Sequence, residues 1–386
     1  MKNWYSCNLG EIATFKNGKS SPLRGYDNKF PVFGSNGIIG FSDDYNANNG
    51  TIVIGRVGSF CGSIYYYDRH CWVTDNAIIG KSKKNSDSKF LYYLLNNIGL
   101  NNYRSGSGQP LLNQRTLNEI EIIVPQLNEQ KLIASIISSL DDKIELNRKM
   151  NQTLEQIAQT IFKHWFIDFE FPNEEGKPYK SSGGEMVDSE LGEVPKIWKI
   201  GSFSDEFKII MGQSPPGETY NEIGNGIQFF QGRTDFGNRF PIQRVFCTEP
   251  KRIAEKFDTL LSVRAPIGDL NMASEKCCIG RGLAAIRSIY KSYAYYKTSS
   301  LKPIFKIFEA EGTVFGALTK NHFLNLQTII PSTDIVKKFE KHIWPIDNQI
   351  YNLSKQIDTL ANLKNLILPK LISGKIRVKT DESNLY

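Results

Sequence analysis

Apolar residues change their spacing along this chain, and the change happens twice. Up to about residue 124 they come in short runs broken by glycine, as in Gly50 to Val57, which predicts short strands, with one helical stretch near Phe90 to Ile98. From about residue 126 the spacing turns to threes and fours, through Ile133, Ile137, Leu140, Ile144, Asn147, Asn151, Leu154, Ala158, Ile161 and Trp165. Short strands return, for example over Phe257 to Val263. The second helical series then runs Phe339, Ile343, Ile346, Ile350, Leu353, Ile357, Leu360, Lys364, Ile367 and Leu371. Held over roughly five heptads, this alternation predicts long helices, each with one seam for another helix. The seam is expected at Ile137, Leu140, Ile144, Leu154 and Ile161, and at Ile343, Ile350, Leu353, Ile357, Leu360 and Ile367. Pro345 removes a helical hydrogen bond and predicts that the second helix begins or kinks there, while Pro369 marks its far end. Asn147 and Asn151 are polar at seam positions, where they are expected to fix register at some cost in stability.

The repetition extends to the globular parts. Trp4 pairs with Trp198, and Gly18-Lys19-Ser20-Ser21-Pro22 with Gly212-Gln213-Ser214-Pro215-Pro216, 194 residues on. Thr51 to Arg56 lies over Thr259 to Arg264 at an offset of 208. From Gly106/Gly312 the offset is 206, taking in Leu112/Leu318, Leu117/Phe323, Ile123/Ile329, Pro125/Pro331 and every member of the helical series. The expected fold is mixed α+β with an internal pseudo-two-fold duplication. One globular domain spans 1–125 and a helical spacer 126–170; a polar, turn-rich linker covers 171–184. A second domain spans 185–331, and a second helix with a C-terminal tail 332–386.

With 386 residues the chain is long enough for two domains with substantial cores. Apolar residues at 40% exclude a wholly disordered chain, and no uncharged apolar run reaches the ~18 to 20 residues of a membrane-spanning helix. The N-terminus lacks the pattern of a secretory signal, so a cytoplasmic protein is expected. Six cysteines without a CxxC pair suggest neither a zinc site nor a disulfide framework. The net charge of +7 would help approach to a polyanion but decides nothing alone.

Motifs for catalysis are weak. Ala13 to Ser20 matches a loose phosphate-loop pattern, but Pro22 interrupts the helix such a loop requires, and Gln213 replaces the lysine in the duplicate. No HExxH, no cofactor-dependent methyltransferase element and no nuclease carboxylate cluster stands out. The histidines at 70, 164, 322 and 342 are scattered. No catalytic residue, metal or cofactor is expected.

The globular modules do carry basic and amide side chains in glycine-rich turns. They are Lys19, Arg24, Ser35, Asn36, Arg56 and Arg115 in the first, and Gln213, Arg233, Arg239, Arg264 and Lys320 in the second. Arg reads guanine edges in bidentate fashion, Asn and Gln read adenine, and lysines more often hold phosphates. Singly, such residues are ordinary loop residues; as a duplicated set they point to DNA contact.

Several stretches, in order, resemble the DNA-specificity subunit of type I restriction-modification enzymes nearly from end to end. They include Ile54-Gly55-Arg56-Val57-Gly58-Ser59, Leu261 to Asp269, and Ile279-Gly280-Arg281-Gly282-Leu283-Ala284-Ala285-Ile286. The junctions fit as well: Ile123-Val124-Pro125 leading to Glu129-Gln130, Phe162 to Phe169, and Asp188 to Pro195 before Trp198. The resemblance implies two target-recognition domains, each reading one half of a bipartite site in double-stranded DNA, separated by two antiparallel helices. It implies a subunit without catalytic activity, with methyltransferase subunits docked on the helices and restriction subunits joining the complex. A helix of about 38 residues would span roughly 57 Å, a ruler between the two modules. The second half departs from the pattern: Pro331 is followed by Ser332-Thr333-Asp334-Ile335-Val336, without Glu-Gln, which puts partner contacts there in doubt. The modules differ through their middles, so an asymmetric target is expected. The alternative is a protein-interaction scaffold with incidental DNA affinity.

Overall fold

A computed structural model of the chain describes residues 4–25, 27–106, 110–310 and 317–378. Gly312, one anchor of the internal alignment, lies outside them, as do the last eight residues of the tail. The chain divides into two compact units, residues 1–147 with 356–386, and residues 148–355. The division falls inside the long helices, so each unit holds one globular module and a stretch of both helices.

In the first unit the strands Ala13–Asn17, Ala77–Ser82, Thr51–Gly55 and Ile64–Tyr67 form an antiparallel sheet in that order. Thr51–Gly55 is buried along its whole length, as its run of β-branched residues requires of a central strand. A second sheet, Gly37–Ser42, Phe30–Gly34 and Trp72–Val73, contains one parallel pairing. Trp4–Asn8 pairs with Glu121–Pro125, bringing the chain back to the start of the first long helix. The helix Ser88–Ile98 is capped by Asp87, whose carboxylate accepts from the Phe90 N–H at 2.9 Å, and it buries Phe90, Leu91, Leu94 and Leu95.

The second unit repeats this plan. Lys208–Met211, Leu283–Arg287, Thr259–Ser262 and Leu270–Met272 form the matching four-stranded sheet, and Lys199–Ser202 pairs with Gln327–Ile330. Its second sheet has five strands around Ile227–Phe230 and takes up the extra residues of this half.

The long helices are Leu127–Phe166 and Thr333–Ile372. The second does not begin at Pro345. It starts twelve residues earlier and continues helical through the proline, because Ile335, Val336, Phe339 and Ile343 anchor that first stretch in the core of the second unit. Pro369 lies in its last turn. The helices run antiparallel. In the first unit Lys364 Nζ reaches Asp141 at 2.6 Å and Asn147 donates to Gln356 at 3.2 Å; in the second, Asn151 donates to Ser354 at 3.1 Å. Of the expected seam residues Ile137, Ile144, Ile343, Ile350 and Leu353 are buried; Leu140, Leu154, Ile161, Ile357, Leu360 and Ile367 are half-buried.

The Glu129-Gln130 pair points into its own module. Glu129 accepts from Trp4 Nε1 at 3.2 Å and from Arg377 at 2.8 Å, and Gln130 ties Pro125 O to Ser86 and the Asp87 N–H. The residues 206 further on, Ile335 and Val336, are apolar and buried. Trp198, the counterpart of Trp4, accordingly has a buried Nε1 with no hydrogen-bond partner. The 171–184 segment is also less of a free linker than its polar composition suggests. Phe171 is 1% exposed and stacks against Tyr179 and Trp198, with ring centroids 4.6 and 4.8 Å away.

Candidate nucleic-acid interface

Five segments meet at one end of the main sheet in each unit, and the same backbone hydrogen bonds hold them. In the first unit Gly18 N donates to Ala77 O (3.0 Å), Lys19 N to Val73 O (3.1 Å), Thr74 N to Phe33 O (2.9 Å) and Arg56 N to Asn76 O (2.9 Å), while Leu112 N donates to Arg56 O (2.9 Å). In the second, Gly212 N donates to Leu283 O (2.9 Å), Gln213 N to Ile279 O (3.0 Å), Gly280 N to Phe230 O (2.8 Å) and Val263 N to Gly282 O (2.9 Å), while Leu318 N donates to Val263 O (2.9 Å). Gly18 and Gly212 permit the closest approach: a Cβ there would lie 2.1 Å from Thr74 O or Gly280 O.

These bonds correct one alignment. Arg56 occupies the place of Val263, and Arg264 that of Val57, since the bridges Val57 to Leu111 and Arg264 to Ala317 also match. The offset there is 207, not 208. A slip of one residue exchanges the faces of a strand, so Arg56 and Arg264 are not counterparts. Arg56 is half-buried, its Nη1 3.5 Å from Asp75 O, whereas Arg264 is exposed.

Lys19, Ser35 and Arg56 gather about the turn 74–76. Lys19 is exposed, and Ser35, in the turn that exposes Asn36, receives the Ser63 hydroxyl on its carbonyl. Gln213 and Arg264, both exposed, gather about the turn 280–282. Lys320 opens the helix Lys320–Asn325, just past the anchored Leu318. Arg115 sits on the equivalent helix Gln114–Asn118 in an exposed pair with Glu119 at 2.8 Å. Arg24 donates to Ile39 O at 3.2 Å.

Arg233 donates to Asp269 at 2.8 Å, and Lys302 holds the other oxygen of that carboxylate at 2.7 Å. Burial raises the pKa of Asp269, but Lys302 and then Arg233 outweigh it and hold the group below its ordinary range. Both cations line a cleft of about 350 Å³ with Phe236, Asn238 and Tyr295.

Arg239, expected among the DNA-contacting residues, is enclosed instead. It is 3% exposed, with its guanidinium donating to Asp347 at 2.7 Å and Glu155 at 3.2 Å and lying 3.3 Å from the ring centroid of Tyr295. Burial works against its charge, but Tyr295, Asp347, Tyr296 and Glu155 keep it protonated. A side chain enclosed in this way cannot reach a duplex.

Three exposed residues at the junctions escaped the sequence reading: Asp75, Gln231 and Arg281. Arg281 stands within the stretch Ile279 to Ile286 used for the resemblance. Its place follows from the backbone bonds that make the turns 74–76 and 280–282 equivalent, since the two modules share no side chain there.

The phosphate-loop pattern has its strand, Ala13–Asn17, but residues 18–25 form no helix to point N–H groups at a phosphate. Among the described residues no group of three His, Cys, Asp or Glu could hold a metal ion, and no helix is long and apolar enough to cross a membrane.

The geometry defines a class: a tandem α+β protein whose two modules repeat one backbone frame, vary the side chains it carries, and share two antiparallel helices. Comparison with known proteins sharpens this. A family model for the type I restriction modification DNA specificity domain matches residues 1–156. The putative type I restriction enzyme MjaX specificity subunit of Methanocaldococcus jannaschii is 34% identical, over 79% of this chain and 72% of that protein. The MjaIX specificity subunit of the same organism is 30% identical, over 76% of this chain and 70% of that one. The crystal structure of the type-I restriction-modification system S subunit from M. genitalium shares the fold, with a TM-score of 0.70 at 19% identity over 96% of both chains. The chain belongs to the family of type I restriction enzyme specificity subunits.

Proposed function

We propose that this chain is the non-catalytic reader of a type I restriction-modification complex, each unit recognising one half of a bipartite, asymmetric site in double-stranded DNA. The observation that carries this reading is the repeated junction. Five backbone hydrogen bonds recur in both units, while the side chains around them differ: Lys19 against Gln213, Val57 against Arg264, Asp75 against Arg281. A constant frame with variable side chains suits two related modules that read different base sequences.

Lys19 and Lys320 supply salt-dependent attachment to phosphates, and Arg264 and Gln213 reach base edges. Arg24, Ser35, Asn36 and Arg56 support or extend the first reading surface, and Arg233 and Arg115 act through their paired carboxylates. The helices carry the methyltransferase subunits, and restriction subunits join that assembly in the cytoplasm. Apolar side chains turned outward on the first long helix support docking of protein there: Leu132, Ile136 and Leu146 in the first unit, Met150 and Ile157 in the second, between 38% and 51% exposed.

The test is to co-express the chain with its modification subunit and map methylated adenines across the host genome by long-read sequencing. A single bipartite, asymmetric motif that disappears when this chain is deleted is the expected result. A stable complex that methylates without sequence preference would replace this reading with that of a protein scaffold.

A further inference from the structure

The two junctions differ most sharply at the tip of one turn. In the first unit the turn is Thr74-Asp75-Asn76; in the second it is Gly280-Arg281-Gly282. Each is fixed at both ends by the equivalent bonds from Thr74 and Gly280 to Phe33 and Phe230, and to Asn76 and Gly282 from Arg56 and Val263. The central residue is therefore held between two backbone anchors two positions apart, and its side chain is exposed in both units. Further bonds stiffen the second turn. The Arg281 N–H donates to the Ser214 hydroxyl at 3.3 Å, and that hydroxyl lies 3.1 Å from Gln231 Nε2.

We propose that Asp75 and Arg281 are the paired base-reading residues of the two units, Arg281 donating to guanine O6 and N7 and Asp75 accepting from the exocyclic amine of cytosine. This deepens the proposed function and rests on it. The charge reversal is the argument. A turn serving only to hold phosphates would favour a cation in both units, and a carboxylate at the same tip would be repelled by the backbone. A carboxylate can instead accept from the cytosine N4 amine, and an arginine fork matches guanine, so one frame can serve either base by a change of one side chain. Three other candidate arginines are less suited: Arg239 is enclosed, and Arg115 and Arg233 face their own carboxylates, Glu119 and Asp269. A rigid backbone under an exposed side chain is what discrimination between bases requires.

The experiment uses the full chain co-expressed with its modification subunit and reads the methylation motif genome-wide. The wild-type motif should contain a G·C pair in each half. Arg281→Ala should relax one guanine position in one half by about tenfold or more, and Asp75→Ala one cytosine position in the other half. Arg281→Lys keeps the charge but not the fork and should relax the same guanine position. Restoration by lysine would make Arg281 a phosphate contact and overturn the assignment. So would unchanged motifs in all variants, an equal loss at every position of both halves, or a wild-type half-site without a G·C pair. Absence of any bipartite motif in the wild type would overturn the proposed function itself, and the assignment with it. Thermal unfolding of each purified variant complex separates loss of reading from loss of fold.

Discussion

Asp141 and Asp347 stand 206 residues apart on the two long helices, and each accepts a hydrogen bond from a tyrosine of its own unit, Tyr93 at 2.8 Å and Tyr296 at 3.0 Å. The cation differs. Lys364, from the second long helix, reaches Asp141 at 2.6 Å, with side chains 28% and 33% exposed. Arg239, from the globular part of the second unit, reaches Asp347 at 2.7 Å, with side chains 3% and 1% exposed, and bonds Glu155 of the first long helix as well. The duplication thus kept the acid and the tyrosine while one copy drew its cation out of a loop into the core. The lesson is that one ion pair, repeated, has two different weights. In the first unit water screens it; in the second, an arginine and an aspartate removed from water fasten the globular module to both helices.

Arg239→Ala leaves Asp347 buried and uncompensated and should destabilise the protein by about 3 to 5 kcal/mol, read by urea unfolding. A loss below about 1 kcal/mol would mean that the pair is worth no more than its solvated counterpart. Tyr296→Phe removes one donor from the same carboxylate and should cost about 1 to 3 kcal/mol, whereas Tyr93→Phe, beside the wetter Asp141, should cost less. Equal effects would erase the distinction between the units.

Where the helices meet, Asn147 and Asn151 each donate across the seam but leave a buried Oδ1 without a partner. Replacing both with Leu should raise stability by about 1 kcal/mol while permitting other helix alignments, detectable as more than one species in solution. A single unchanged species would show that the asparagines do not set register. The smallest effect is expected of Lys364→Ala, no more than about 1 kcal/mol and vanishing at high salt. A large, salt-insensitive loss would show that the pair with Asp141 is not screened.

Much of this architecture is legible in the chain. The 3-4 spacing carries both helices, because one face must be apolar over their whole length. The offset of 206 carries the duplication into Leu112/Leu318 and Ile123/Ile329. Local rules failed where tertiary packing outweighed them. Pro345 forbids one hydrogen bond, but Ile335, Phe339 and Ile343 bury enough surface to keep the helix going before it. The turn-rich composition of 171–184 hides Phe171 and Tyr179, which dock on Trp198.

The candidate site was legible only in kind. Exposed basic and amide residues in glycine turns mark where a polyanion could bind, but sequence proximity cannot say which arginine is free. Arg239 and Arg264 look alike in the sequence; one is closed in by Asp347 and Tyr295, and the other is exposed. The Arg56 to Arg264 match failed by one residue, a slip that composition does not register and a strand pairing does.

The periodic quantities are written in the chain: two modules, two long helices, the duplication and the residue types available at their turns. These follow from spacing, which the chain carries linearly. The tertiary structure decided which charges are enclosed, which turns coincide, and that Asp75 and Arg281 occupy one place in two copies of a frame. Those depend on hydrogen bonds between segments far apart in the chain, and no local pattern encodes which backbone group a distant one will meet.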